Sequence, residues 1–207
     1  MVLSRINPKN IKWQRKGILY RGNTQWKFEH TVLRSMISGV KPVYKGCEDS
    51  EGIKTFCSNL LTEAIIFARD RTREHSTYAR RLESPFTIYP LIMEINVVNY
   101  TDKIYQTNEG EGLIITGSIS LDDINIIFSS KKDLIPNLPV KKSLQELCRQ
   151  ADFKEEDLVE RFEKNREEIS LELYSKVFGP KISTQYDYQK EIKFISEFIE
   201  VLRTKFR

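Results

Sequence analysis

The chain has 207 residues, of which 40% are hydrophobic and 30% are charged. This composition is sufficient for an apolar core, and it predicts a soluble protein with one good-sized domain or one domain and a helical appendage. No apolar run reaches the length of a membrane span, and residues 1–16 lack the apolar segment of a signal peptide. We therefore expect no membrane partner and a cytoplasmic protein.

The cysteines and histidines show no metal-binding pattern. Cys47, Cys57 and Cys148 are widely spaced and include no CxxC pair, and His30 and His75 have no zinc-binding spacing. We expect reduced thiols, as in the cytosol, and no metal site.

The net charge of +4 conceals an uneven distribution along the chain. Residues 1–81 contain 16 Lys and Arg against 7 Asp and Glu, whereas residues 82–136 contain 3 against 8. Residues 137–207 contain 14 of each kind. A basic segment followed by an acidic one suits an anionic ligand whose reacting end is cationic, and the basic segment would also suit nucleic acid.

The chain begins with a predicted strand and helix. The strand covers residues 18–21 and ends at Gly22, and the helix covers residues 26–38, with apolar residues at helical spacing and Gly39 as its C-terminal cap. Residues 40–55 are predicted to form a loop, because they include proline and glycine.

A second helix is predicted to begin after Thr62, which is a good N-cap. The stretch from Arg69 to Arg81 contains five arginines, with His75 and Tyr78 between them. We interpret this stretch as a solvated helix end and a loop, and phosphate binding is the alternative.

Strands are predicted to cluster in the second half of the chain. Residues 88–98 alternate as in a half-buried strand, and residues 113–116 and 124–128 predict two more strands. Helices with these strands indicate a small mixed α+β protein.

The composition changes to that of helices after Pro136. A capping box spans residues 143–146, and Asp152 begins a second pattern of the same kind, which predicts a helix that ends at residue 178. The last segment has an apolar stripe that we expect to pack on the domain, since it is too short for a coiled-coil dimer. The stripe consists of Tyr188, Ile192, Ile195, Ile199, Leu202 and Phe206.

A short acidic segment, Glu109-Gly110-Glu111, comes just before the strand predicted to begin at residue 113. On an extended segment both carboxylates point to the same side, because strand side chains alternate between faces. Paired carboxylates suit chemistry on a positively charged sugar, where one stabilises the ribosyl cation and the other handles the nucleophile. A solvated turn before a strand is the simpler interpretation of the same residues.

Three short motifs follow one another along the chain. They are Leu19-Tyr20-Arg21-Gly22, then Phe56-Cys57-Ser58 before a helix with Phe67-Ala68, then Glu109-Gly110-Glu111. In this order, over roughly residues 15–130, the chain resembles the ADP-ribosyltransferases of the arginine–serine–glutamate type. The resemblance implies an α+β fold with a split β-sheet core of the ADP-ribosyltransferase kind and N-terminal helices, but it says nothing about residues 137–207. Together with the change of composition after Pro136, it leads us to expect a catalytic domain over residues 1–136 and a C-terminal helical extension over residues 137–207.

The resemblance implies that NAD is the co-substrate and gives roles to five residues. Arg21 and Gly22 would bind NAD, with Arg21 holding a phosphate and ribose through its rigid donor fork. Ser58 would support the nicotinamide-ribose pocket and orient the catalytic glutamate. Glu111 would stabilise the positive charge that develops on the ribose, and Glu109 would hold the acceptor, which in this family is then an arginine.

The serine element departs from the family's Ser-Thr-Ser pattern. The chain has Phe56-Cys57-Ser58 or Cys57-Ser58-Asn59 there, depending on register. Ser58, Cys57 and Thr55 therefore all remain candidates for the serine position.

The expected function is that of a mono-ADP-ribosyltransferase that cleaves NAD and places ADP-ribose on a protein arginine. As an effector or toxin it would act in the cytoplasm or be delivered into the cytosol of a host or target cell, and an inhibitor or antitoxin partner could restrain it. One alternative is the same chemistry on a nucleic-acid acceptor, which the basic segment would suit. The other is a non-catalytic interaction module on the same scaffold.

Overall fold

The computed structural model describes residues 3–81, 88–107, 112–129 and 143–166, together with residues 168, 169, 172, 173 and 176. Within these ranges the predicted α+β class is confirmed. The helices are α1 (Gln25–Ile37), α2 (Leu61–Arg81), α3 (Leu144–Ala151) and α4 (Glu155–Lys164). The strands are β1 (Leu3–Arg5), β2 (Ile18–Thr24), β3 (Val43–Tyr44), β4 (Cys47–Asp49), β5 (Gly52–Cys57), β6 (Pro90–Asn96), β7 (Ile104–Thr107), β8 (Leu113–Thr116), β9 (Ile119–Ser120) and β10 (Ile124–Ser129).

The described strands form three antiparallel sheets, and a bridge beside β2 links two of them. One sheet has the order β1-β7-β8-β5-β4, a second has the order β10-β6-β2, and β3 pairs with β9. The Tyr20 amide donates to the Ser58 carbonyl at 2.7 Å, and the Ser58 amide donates to the Tyr20 carbonyl at 2.8 Å. This bridge joins β2 to the residue that follows β5, so strands of two different sheets run side by side.

Helix α2 lies directly on β2 because residue 22 is a glycine. A Cβ atom at Gly22 would lie 1.8 Å from the carbonyl oxygen of Ala64 and 2.4 Å from the backbone nitrogen of Ala68. No side chain fits in that space, so the glycine sets how closely the helix approaches the strand.

Apolar side chains from the sheets, α1, α3 and α4 share one core. From the strands and α1 it includes Leu19, Phe28, Leu33, Met93, Ile95 and Ile115, and from α3 and α4 it includes Leu147, Leu158 and Phe162. Helices α3 and α4 therefore pack on the same core as the strands. The division of the chain at residue 136 stays a prediction.

Several predicted elements are confirmed. The predicted helix over residues 26–38 is α1, with Thr24 as its N-cap and Gly39 at a φ of +72° just beyond it. The strands predicted from residues 88, 113 and 124 are β6, β8 and β10. Ser143, the first residue of the predicted capping box, is confirmed as the N-cap of α3, since the amide of Glu146 donates to Ser143 Oγ at 3.2 Å.

The predicted loop over residues 40–55 was wrong, because β3, β4 and most of β5 lie there. Strand β5 buries Lys54 and Thr55 while Phe56 is 43% exposed, which inverts the usual pattern of apolar-in and polar-out. The strands are therefore spread along the chain, and the prediction that they cluster in its second half was also wrong.

Helix α2 begins at Leu61, so Thr62 is not its N-cap. The amide of Leu61 donates instead to Gln14 Oε1 at 2.8 Å, a side chain 47 residues upstream. The stretch from Arg69 to Arg81, predicted to end in a loop, is helical throughout.

The second capping pattern was also wrong. Asp152 adopts the left-handed conformation, at a φ of +57°, and ends α3, while α4 starts after Lys154 without a side-chain cap. Asn165 then interrupts the predicted helix over residues 152–178, because its φ of −147° and ψ of 86° are not helical. The apolar stripe from Tyr188 to Phe206 lies outside the described residues. No helix in the described ranges combines the length and the apolar character needed to cross a bilayer.

Candidate functional site

A cavity of about 370 Å³ lies beside the bridge between β2 and β5 and below α2. Its lining comes from β2, the start of α1, the β4–β5 region, α2 and the residue before β8. The lining residues are Tyr20, Arg21, Gly22, Asn23, Lys27, Gly46, Cys47, Phe56, Cys57, Ser58, Phe67, Arg71, His75 and Gly112.

The structure brings Arg21, Gly22 and Ser58 together on this one cavity. Glu109 and Glu111 lie outside the described residues. Gly112, the residue after Glu111, lines the cavity, and the next residue pairs with Cys57 in the sheet.

Arg21 is held in place by two of the five N–H donors of its guanidinium group. Its Nε donates to the hydroxyl of Tyr44 at 2.8 Å, and one terminal nitrogen donates to the backbone carbonyl of Phe56. The fully buried Tyr44 also accepts from Asn23 Nδ2 at 2.8 Å, so it is itself fixed. The position of the guanidinium is thus set by the fold before any ligand binds.

Ser58 is 1% exposed and is fixed through both its backbone and its side chain. Its backbone pairs with Tyr20, the neighbour of Arg21. Its hydroxyl donates to the carboxylate of Glu63 and accepts from the amide of Leu60 at 2.9 Å. The contact with Glu63 could not be predicted from the sequence, because it depends on where the first turn of α2 lies.

The alternatives for the serine position have different surroundings. Cys57 lines the cavity, but it is buried, and burial raises the pKa of its thiol to about 12. Thr55 is fully buried against Gly46, and in the described part of the chain its hydroxyl finds no hydrogen-bond partner. Among the three candidates, Ser58 therefore combines a place on the cavity with a hydroxyl group.

One face of α2 contributes residues that sequence analysis did not assign to the site. Phe67, Arg71 and His75 follow each other at intervals of four residues, so they share a helix face, and all three line the cavity. Lys27 joins them from the first turn of α1. The four-residue spacing was visible in the sequence, but the face that α2 turns toward β2 was not.

The cavity is positively charged. Arg21, Lys27 and Arg71 line it, and none of the described lining residues is acidic. Such a lining attracts an anionic ligand. Arg71 is half exposed and pairs with Glu74 at 2.5 Å, so it is within reach of solvent and of a ligand at the rim.

His75 contributes a neutral ring to the same face. Burial lowers its pKa to about 4, and the nearby cations of Arg71 and Lys27 lower it too. Its Nδ1 lies 2.9 Å from Thr24 Oγ1, and the ring of Trp26 meets it edge-on at 5.3 Å between centroids. At neutral pH the imidazole is therefore uncharged, and one ring nitrogen donates while the other accepts.

Two aromatic side chains at the cavity are unusually exposed. Phe56 is 43% exposed and Phe67 is 55% exposed, although large apolar side chains are usually covered. Their rings offer apolar surface on which a flat heterocycle could stack.

No three His, Cys, Asp or Glu side chains within the described ranges are grouped so that they could hold a metal ion. Comparison of the chain with protein-family models, curated proteins and solved structures finds no match. What the cavity does must therefore be inferred from its own residues.

Proposed function

We propose that the protein is a mono-ADP-ribosyltransferase with a split-sheet ADP-ribosyltransferase fold, which cleaves NAD and transfers ADP-ribose to a protein arginine. The observation that carries this proposal is the meeting of Arg21 and Ser58 on one cavity, through the bridge between Tyr20 and Ser58. Arg21 lies in β2 and Ser58 follows β5, a strand of a different sheet, so sequence order alone does not bring them together.

The residues that line the cavity suit NAD in their charge and in the aromatic surface that they offer. NAD carries an anionic diphosphate between two flat bases, and the cavity offers three cations, Arg21, Lys27 and Arg71, with the exposed rings of Phe56 and Phe67. Its volume of about 370 Å³ falls within the usual range for small-molecule sites.

NAD, when bound, supplies an ADP-ribosyl group: the bond between ribose and nicotinamide breaks, nicotinamide leaves with the electron pair, and the acceptor nitrogen bonds to the ribose carbon. Arg21 holds a phosphate with its remaining donors. Glu111 stabilises the positive charge on the ribose, as a carboxylate does in glycoside hydrolysis. Glu109 holds the guanidinium of the acceptor and helps to remove its proton. An effector or toxin role in a cytosol, with an inhibitor or antitoxin partner, is part of the same proposal.

The test is release of nicotinamide from NAD by the purified full-length chain and by its Glu111→Gln variant. Loss of an electrostatic stabiliser should lower the rate about a hundredfold or more, with the melting temperature unchanged. Glu160→Gln is the matched control, because Glu160 is an exposed carboxylate on α4 that pairs with Lys164. A wild-type chain that releases no nicotinamide would contradict the activity, and an active Glu111→Gln variant would contradict the role of Glu111.

A nucleic-acid acceptor is the second candidate, and exposed cations on α2 favour it. Arg71 is half exposed where it lines the cavity, and Arg69 and Arg73 are exposed on the opposite face of the same helix, so cations around α2 would attract a polyanion. Labelled NAD incubated with a cell lysate, followed by protease or nuclease, separates the two acceptors. A chain that incorporates no label and releases no nicotinamide would instead be a non-catalytic interaction module.

A further inference from the structure

The hydroxyl of Ser58 can donate one hydrogen bond, and in the structure the acceptor of that bond is Glu63. An ionised carboxylate can only accept, so Ser58 is the donor in its hydrogen bond with Glu63. Glu63 lies in the first turn of α2, where the positive end of the helix dipole favours a negative charge. The direction of this hydrogen bond is therefore fixed by the fold.

A serine hydroxyl also has two lone pairs, and the amide of Leu60 uses one of them at 2.9 Å. What Ser58 can still offer in the cavity is a lone pair and no proton. It can accept from an N–H or O–H group of a ligand, but while it donates to Glu63 it cannot donate to a second carboxylate, so it would not orient Glu111 by a hydrogen bond as the resemblance implies.

We infer that Glu63 is a positioning residue that makes Ser58 an acceptor for the carboxamide N–H of the nicotinamide ring, so that the site selects a dinucleotide with a neutral amide base. The inference rests on the proposed function. Nicotinic acid adenine dinucleotide, which has a carboxylate in place of the amide, would bring two acceptors together at Ser58. Ribose hydroxyls both donate and accept, so they do not report on the direction of the Ser58 hydrogen bond.

The experiment compares the dissociation constants of NAD and of nicotinic acid adenine dinucleotide by calorimetry for wild type, Glu63→Ala, Glu63→Gln and Asp70→Ala. Wild type should prefer NAD by about tenfold or more, the range expected when a buried polar group loses its partner. Glu63→Ala frees the Ser58 proton for the carboxylate, so the preference should largely disappear. Glu63→Gln keeps an oxygen acceptor and should retain most of it.

The Gln variant separates hydrogen-bond direction from simple charge. If both Glu63 variants lose the preference equally, removal of a negative charge explains the effect and the inference is wrong. An unchanged preference in Glu63→Ala would overturn it as well. Asp70→Ala, which removes an exposed carboxylate of α2 paired with Arg69, should behave as wild type. A wild-type chain that binds neither dinucleotide would contradict the proposed function itself, whereas tight NAD binding without the effect at Glu63 would contradict this inference alone.

Discussion

Cys47 and Cys57 both line the cavity, but their thiols have opposite surroundings. Cys47 is exposed, whereas Cys57 is buried and burial raises its pKa to about 12. Cys148, on α3, is also buried, and desolvation raises its pKa. Because the thiolate is the reactive form, the buried thiols should be inert toward alkylating reagents.

We predict that N-ethylmaleimide modifies Cys47 in the folded protein and leaves Cys57 and Cys148 unmodified. NAD at saturating concentration should slow this modification severalfold, because Cys47 borders the proposed ligand site. Peptide mass spectrometry after timed labelling measures both effects. Equal labelling rates with and without NAD would place the ligand elsewhere.

Individual site residues were predictable from sequence only where a motif names them. Arg21 and Ser58 were named as candidates because each stands in a short motif, and both line the cavity. Arg71 and His75 were not assigned to the site. The polar residues of α2 occur all around the helix, so the sequence does not show which face lies toward the cavity, and the packing of α2 on β2 decides it. Glu63 was missed for a related reason, since its contact with Ser58 depends on the fold of the turn before α2.

At the level of elements, the contact between β2 and α2 depends on Gly22. We predict that Gly22→Ala separates the helix from the strand and lowers the free energy of unfolding by roughly 3 kcal/mol or more, as overpacking in a core does. Gly39→Ala is the control: no atom lies within 4 Å of the added Cβ, and only its φ of +72° is strained. That variant should lose about 1 kcal/mol. Urea unfolding of the two variants makes the comparison, and a smaller loss at Gly22 than at Gly39 would contradict the packing.

The histidines between α1 and α2 predict an acid-sensitive fold. Burial lowers the pKa of His75 to about 4 and that of His30 to about 3, both from 6.5. Between these values and 6.5 the unfolded chain binds protons that the folded chain does not, so stability falls as the pH decreases below about 6.5. Each histidine contributes at most about 1.4 kcal/mol per pH unit, and less for His75, which is partly exposed.

Melting temperatures from pH 7 to pH 5 test this expectation. The wild type should melt at progressively lower temperature toward pH 5, and His75→Gln should show a smaller decrease. A decrease of the same size in the variant would assign the acid sensitivity to other groups.

Elements with a regular apolar pattern were predictable, and those with an inverted one were not. Helix α1 has apolar residues at helical spacing and a local cap, and β6 alternates, so both were found. Strand β5 buries Lys54 and exposes Phe56, which removes the usual signal. The start of α2 depends on Gln14, and no local pattern predicts a partner so far upstream.

For the whole molecule, α3 and α4 complete the core that the sheets begin. Leu147, Leu158 and Phe162 are buried in it with strand residues. The segment that follows has an apolar stripe in its sequence and lies outside the described residues. We predict that this segment also packs on the domain.

Deletion of residues 181–207 tests that prediction. Loss of the stripe should cost several kcal/mol, since each large apolar side chain contributes about 1.5–3 kcal/mol when buried. The truncated chain should be poorly soluble, with NAD hydrolysis reduced in proportion to the folded fraction measured by circular dichroism. A folded, monomeric truncation that hydrolyses NAD fully but no longer modifies its acceptor would make the segment a recognition module.

The bridge between Tyr20 and Ser58 has a mechanical consequence. Arg21 belongs to the sheet on one side of this bridge, and Ser58 follows a strand of the sheet on the other side. A molecule that contacts both residues spans the place where the two sheets meet, here called the joint, and resists rotation of one sheet against the other. Its affinity then depends on how rigidly the two sheets are coupled, so a substitution far from the cavity that loosens this joint would weaken binding without touching the bound molecule.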